Sequence, residues 1–314
     1  MKKIVITGIS SFIGVHLAKH FSNLGFSVIG TTSQKLSKYN SIRKKRLEEA
    51  IDSNISIEQL DITKKNELIK KIKRINPDYW IHHAGWATNY GSISYDINIG
   101  FNINVKPLEI LFPLLKECNC KGIIITGSSA EYSDGDRPDK EKDPVFPAMP
   151  YGISKLNETL YAQLLALNYN LRTRVARVYI PFGKFDTPSK LIPSLIKNIK
   201  RNEQIELSPC EQKRDFLYIG DLVRGYSYLL NDLTRDKPFD IFNLCSGNSI
   251  KVKDLLLSIT DHLNCSSDLL KFGSKEMRPG EALISYGSNK KAKDILGWEP
   301  EPLNNGINKL LKSV

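Results

Sequence analysis

The chain has 314 residues, 41% of them hydrophobic and 25% charged, with a formal net charge of +11. That balance predicts a water-soluble α/β protein with one large core and a further lobe, and the lack of any apolar run long enough to cross a bilayer excludes a membrane-embedded chain. The positive charge raises the question of nucleic acid as a partner. However, the lysines are scattered, the densest cluster (Arg43-Lys44-Lys45-Arg46) runs straight into Glu48 and Glu49 as a solvated helical face would, and no nucleic-acid-binding motif accompanies it.

The first apolar stretch, within Met1-Lys2-Lys3-Ile4-Val5-Ile6-Thr7-Gly8, is too short for a signal peptide, so a cytoplasmic location is expected. Strands are predicted at 3–7, 27–31, 56–59, 79–82 and 122–126, and helices at 12–24, 64–75, 101–117 and 151–168, with a sixth strand at 172–179. Short β-branched runs alternating with amphipathic segments predict a Rossmann-type, doubly wound parallel sheet. After Pro181 the rhythm breaks, and residues 180–314 are expected to form a smaller mixed α/β substrate lobe beside a nucleotide domain at 1–179. The cysteines (Cys118, Cys120, Cys210, Cys245, Cys265) are odd in number and lack paired zinc-ligand spacing, which predicts free thiols and no metal.

Between the first strand and first helix stands Thr7-Gly8-Ile9-Ser10-Ser11-Phe12-Ile13-Gly14. Gly8 suits a tight turn, Gly14 lets the helix approach the sheet, and the helix N-terminus offers free N–H groups to a pyrophosphate, so this loop is expected to bind a dinucleotide. The second strand runs into Thr31-Thr32-Ser33-Gln34-Lys35 without the Asp or Glu that holds a ribose 2′-OH. Hydroxyls at Thr32 and Ser33, with Lys35 and Lys38 nearby, favour a 2′-phosphate and hence NADP(H) over NAD(H).

Tyr151-Gly152-Ile153-Ser154-Lys155 places a phenol and an ammonium four residues apart, on one helical face. A free phenol titrates near ~10, and lowering that by about three units takes roughly 4 kcal/mol, which a lysine and a bound dinucleotide together are expected to supply. The pair is then an acid/base for interconverting alcohol and ketone.

With these stretches in hand, the chain resembles the extended short-chain dehydrogenase/reductase family, in its nucleotide-sugar epimerase, dehydratase and reductase branch. The resemblance runs nearly end to end. It implies adenine contacts from Asp61 and Ile62, and a path for the ribose and phosphates along His83, Ala84 and Gly85. It also implies cofactor contacts from Asn104, Val178 and Pro181. Ser128, in Thr126-Gly127-Ser128-Ser129-Ala130-Glu131-Tyr132, would complete a catalytic set with Tyr151 and Lys155. Trp86, Thr88, Tyr90, Ser129, Glu131 and Ile180 would face the sugar, while Arg214 and Arg278 would grip the substrate diphosphate. Family habit further implies a homodimer packed through the helices at 101–117 and 151–168.

Four departures from the family pattern narrow the expectation. Ser11 stands where the phosphate loop carries its middle glycine. Ser129 and Ala130 replace the acidic residue that drives elimination in 4,6-dehydratases, with Glu131 one step late. Ala130 is not the cysteine of the epimerase-reductases, whose histidine is also missing around Lys184. Ile180 replaces an asparagine near the substrate phosphates. What remains is redox at one carbon: an NADPH-dependent reductase of a nucleotide-linked 4-keto sugar, with an NAD-dependent nucleotide-sugar 4-epimerase as the alternative and a non-catalytic NADP-binding sensor as the remote one.

Overall fold

In the computed structural model, which describes residues 1–133, 135–277 and 281–314, strands and helices alternate from the first residues. They run β1 (Lys3–Thr7), α1 (Phe12–Asn23), β2 (Ser27–Thr32), α2 (Ser41–Asp52), β3 (Ser56–Gln59), α3 (Lys65–Ile75), β4 (Tyr79–His82), α4 (Ile97–Gly100), α5 (Pro107–Glu117), β5 (Ile123–Ser128), α6 (Pro150–Tyr169) and β6 (Thr173–Val178). Local chemistry sets several ends. Ser11 caps α1 by accepting from the Gly14 N–H, Pro150 opens α6 where its missing N–H costs nothing, and Asn170 closes α6 in the left-handed region at φ 46°.

The second half contributes β7 (Ile180–Phe182), α7 (Leu191–Lys200), β8 (Ile205–Leu207), β9 (Lys213–Arg214), β10 (Phe216–Tyr218), α8 (Ile219–Asp232), β11 (Phe239–Leu244), β12 (Ile250–Lys251), α9 (Val252–His262), β13 (Leu270–Phe272), β14 (Ile284–Ser285) and α10 (Leu303–Lys312). β11 returns to pair with β6, and α8 packs on α1, so both join the first half. The seven-stranded sheet has the order β11-β6-β5-β4-β1-β2-β3 and is parallel throughout.

Strand alternation divides the core. Ile4 and Ile6 face a cluster with Val15, Phe21, Leu222 and Trp298, while Val5 points the other way to Leu68, Leu111, Phe112 and Ala166. A third cluster, with Leu195, Ile199, Leu255, Ile259 and Ile307, holds the smaller lobe together. The chain winds outward from β1 through β2 to β3, then crosses back to β4 on the other side, so the order reverses between β1 and β4. Ligands of open parallel sheets bind in the crevice at such a reversal.

Three expectations needed adjustment. The helix foreseen at 101–117 begins earlier, with α4, and within that range divides into a π-helical turn at Phe101–Val105 and α5. The strand foreseen at 122–126 continues to Ser128, which puts that side chain at the strand's carboxyl end. β11 was not foreseen as a strand, because the 60 residues between β6 and β11 mix short strands with α7 and α8, and its place in the sheet is a matter of long-range pairing.

Candidate active site

The phosphate loop lies at the reversal. Gly8 takes φ 74°, and its amide and that of Ile9 bond the Thr31 carbonyl at 3.0 and 3.1 Å. A Cβ on Gly8 would sit 3.0 Å from the Ala84 backbone, and one on Gly14 would sit 2.4 Å from the Gly8 carbonyl, so only glycine allows the approach of loop, helix and β4. Thr7 Oγ1 ties the two strand ends by accepting from the amides of His83 and Ala84, both at 2.8 Å. The side chains of Ser10 and Phe12 are buried, so these residues offer backbone, and helix geometry leaves the first-turn amides of Phe12 and Ile13 without intrahelical acceptors. This cradle fits a dinucleotide pyrophosphate.

At the end of β2 the structure corrects one expectation. Thr32 is closed to solvent and its hydroxyl donates to the Gln34 carbonyl at 3.0 Å, because the turn needs that bond; it is not free for a 2′-phosphate. Ser33 and Lys35 are exposed. Asp61 accepts from the Thr63 amide and hydroxyl at 3.0 and 2.7 Å in a tight turn beside buried Ile62.

The three expected catalytic side chains converge at the ends of β5 and α6. Ser128 Oγ accepts from the Ala130 amide at 3.1 Å, and the serine is among the groups that lower the Tyr151 phenol. Lys155 is buried; its Nζ donates to the Thr126 carbonyl at 2.7 Å and to Glu158. Tyr151 packs edge-on against Tyr90 and Tyr95, with ring centroids 5.8 and 5.6 Å away, so the expected sugar-side residue Tyr90 does stand beside it. A Cβ on Gly152 would sit 2.0 Å from the Ala130 carbonyl, which is how closely α6 is pressed on the serine turn.

The protein's own groups pull the phenol in opposite directions. Burial raises the Tyr151 pKa above its ordinary value, outweighing the Lys155 charge and the Ser128 hydroxyl, which both lower it; Glu158 opposes the lysine. The sequence reading counted the ammonium and overlooked the carboxylate three residues beyond it. Glu158 is itself buried, and burial pushes its carboxyl up against the pull of Lys155. The Lys155 ammonium is held above its usual value, Glu158 and Tyr151 together overcoming the cost of burial. His82 Nε2 approaches Glu158 at 4.0 Å and has no hydrogen-bond partner among the described residues.

Two further assignments are corrected. Asn104 is fully buried: its Oδ1 accepts from the Trp86 amide at 2.7 Å and its Nδ2 donates to Ser154 Oγ at 2.9 Å, so it fastens the segment after β4 to α6 and does not reach a cofactor. Glu131 is also fully buried. One carboxylate oxygen accepts from the Ser128 amide at 2.8 Å and the other from Thr159 Oγ1 and Arg177 Nε at 2.9 and 2.8 Å, and full burial turns both away from a sugar pocket. It orients the Ser128 turn instead.

The remaining assignments fall where they can be stated briefly. Trp86 is half-buried, its indole N–H without a partner among the described residues; Thr88 and Gly85 are exposed, as is Ile180, while Ser129 and Pro181 are half-buried. Val178 is buried at the end of β6. Arg214 is bonded to Glu281 at 2.9 Å and to the Ala282 carbonyl at 2.7 Å. Arg278 lies outside the described residues. Sequence reasoning missed Glu158, Thr126 and Tyr226. Only Glu158 carried a signal, its helical spacing from Lys155.

A pyrophosphate cradle at the reversal of a parallel sheet, with serine, lysine and a half-buried phenol at the neighbouring strand ends, defines a dinucleotide-dependent oxidoreductase of the short-chain type. The model of the NAD dependent epimerase/dehydratase family matches residues 4–245, and the chain belongs to that family. It is 31% identical to the dTDP-4-dehydro-6-deoxyglucose reductase of Escherichia coli over 67% of each chain. It is also 27% identical to the CDP-abequose synthase of Salmonella muenchen, over 99% of this chain and 97% of that one. Among solved structures, a UDP-glucose 4-epimerase from Thermotoga maritima with UDP-glucose superposes with a TM-score of 0.85 at 22% identity, covering 99% and 97% of the two chains, a likeness of fold.

Proposed function

We propose that the protein is an NADP(H)-dependent reductase of a nucleotide-linked 4-keto sugar. The observation that carries this reading is the end of β2, where Ser33 and Lys35 are exposed and no carboxylate stands to receive a ribose 2′-OH. The similarity to a 4-dehydro-sugar reductase supports it. When bound, the reduced nicotinamide supplies a hydride to the keto carbon. Tyr151 gives its phenolic proton to the ketone oxygen, Ser128 holds that oxygen by a hydrogen bond, and the Lys155 ammonium stabilises the phenolate left behind. The sum is ketone, NADPH and a proton giving alcohol and NADP⁺. Residues 180–314 would supply most of the nucleotide-sugar side, with Arg214 exchanging its bond to Glu281 for the substrate diphosphate.

A 4-epimerase would use the same three residues, retain its NAD and consume no reductant. Native mass spectrometry of the purified protein, followed by incubation with 4-keto and saturated sugar nucleotides, separates the two. The reductase reading expects NADPH oxidation that depends on a 4-keto-6-deoxy sugar nucleotide. Bound NAD with interconversion of a saturated sugar nucleotide and no net oxidation would refute it.

The same protein is proposed to act as a homodimer. Ile153, Leu160, Leu164 and Leu167 leave an apolar row exposed along α6, at spacings that keep one helical face. Sedimentation of the wild type against a Leu160→Glu, Leu164→Glu variant tests that face. Among the described residues no helix is long and apolar enough to cross a membrane.

A further inference from the structure

A continuous hydrogen-bond chain runs from the interior of α8 to the phosphate loop. The Tyr226 hydroxyl lies 2.7 Å from Thr126 Oγ1, Thr126 Oγ1 lies 3.0 Å from His83 Nδ1, and His83 Nε2 lies 2.8 Å from Ser11 Oγ. Ser11 Oγ also accepts from the Gly14 amide at 3.0 Å. The chain-specific parts are Ser11, in a loop position where glycine is usual, and the imidazole that meets it.

Donor and acceptor counting sets the direction of this chain. A hydroxyl has one proton to give and two lone pairs, and a neutral imidazole donates from one nitrogen and accepts at the other. Burial, together with the nearby Lys155 charge, pushes the His83 pKa down to about 3, so the ring is neutral. Tyr226 is fully buried, and Thr126 is its hydrogen-bond partner among the described residues.

If Ser11 donated to His83, then His83 would donate to Thr126, and Thr126 would either donate to Tyr226 or accept from it as well; either way one buried hydroxyl proton, of Tyr226 or of Thr126, would have no acceptor among the described residues, the expensive case. In the opposite direction Tyr226 donates to Thr126, Thr126 to His83 Nδ1, and His83 Nε2–H to Ser11. Every link is then satisfied. Ser11 Oγ has both lone pairs filled, by His83 and by the Gly14 amide, and its own proton is free.

We propose that His83 is a positioning residue which, in its Nε2–H tautomer, acts through Ser11 so that the serine hydroxyl is held as a donor to the pyrophosphate of the bound dinucleotide. The serine thereby supplies a directed bond where the usual glycine would supply only room. This rests on the reading of the loop as the dinucleotide site.

Two measurements on the full-length protein test it. Long-range ¹⁵N–¹H correlation spectra of the imidazoles, assigned with H83Q, are expected to show His83 protonated on Nε2 alone; an Nδ1–H tautomer or an imidazolium overturns the proposal. Calorimetric titration with ADP-ribose and with adenosine supplies the second arm. S11A is expected to weaken ADP-ribose about fivefold and H83F about threefold, with adenosine unchanged in both and no further loss in the double variant, as expected for one net hydrogen bond. H83Q, whose side-chain amide offers an N–H near the place of Nε2, is expected to restore wild-type affinity. An H83F loss that persists in the S11A background, or that extends to adenosine, shows a merely structural histidine and overturns the proposal alone. A wild-type protein that binds no ADP-ribose overturns the dinucleotide reading as well.

Discussion

Neutralising Glu158 is expected to make Tyr151 a stronger acid while making the protein less stable. Glu158 lies seven residues beyond Tyr151 on α6, two helical turns or about 10 Å of rise. A unit charge at that separation, in an effective dielectric of about 20, contributes roughly 1.7 kcal/mol, or about one pKa unit. With Glu158→Gln the phenol keeps the attraction of Lys155 and loses the opposing carboxylate, so its pKa should fall by about one unit. Breaking a buried ion pair typically costs about 3–5 kcal/mol, and the low end is expected here. The glutamine oxygen can still accept from Lys155, which also retains its 2.7 Å bond to the Thr126 carbonyl. The ultraviolet tyrosinate absorbance of each protein, minus that of its Tyr151→Phe counterpart, isolates one of 13 tyrosines, and urea denaturation reports the stability. A Tyr151 titration that stays in place or moves upward in Glu158→Gln would refute the reasoning, since it would mean either that Glu158 does not act on the phenol or that Lys155 loses its proton along with its partner.

Tyr151→Phe preserves the ring packing against Tyr90 and Tyr95, so substrate KM should hold while kcat falls by about 10²–10⁴, the usual worth of a positioned acid/base; steady-state kinetics check it. Gly152→Ala introduces a Cβ 2.0 Å from the Ala130 carbonyl, and a backbone obstacle of that kind should cost about 1–3 kcal/mol in urea denaturation and displace Tyr151 enough to lower kcat as well. Acid should destabilise the fold through His82, which burial pushes down to about 3 from an ordinary 6.5. The unfolded chain takes up a proton below 6.5 that the folded chain refuses, so this stability is fully present above 6.5 and is lost as pH falls, by about 2 kcal/mol at pH 5. Comparing wild type with His82→Gln across pH 5–8 isolates that contribution from buried Asp215, raised to about 6, whose contribution has the opposite sign.

The local readings that survived rest on short-range chemistry. A glycine turn between an apolar run and an amphipathic one reads directly as a strand, a tight loop and a helix N-terminus, because each step concerns neighbouring residues. The Tyr151 and Lys155 spacing reads as one helical face for the same reason. Glu131 and Asn104 failed that treatment. Each is a polar residue in a promising stretch, and each proved to be bonded at every turn inside the core, to Arg177 and Thr159 in one case and to Ser154 in the other. Nothing local distinguishes a buried, saturated carboxylate from one that faces a pocket.

The sequence by itself determined the class of sheet, the phosphate loop, the phenol with its lysine and the family to which the chain belongs, since all of these are written in contiguous residues whose spacing has a physical meaning. Only the tertiary structure decided how those parts are tuned. It buried the Lys155 and Glu158 pair, raised the phenol by burial, and joined Tyr226 to Ser11 through Thr126 and His83 across 215 positions of chain. Desolvation and hydrogen-bond satisfaction depend on what surrounds an atom in space, and that surrounding is assembled from strands and helices that are distant in sequence.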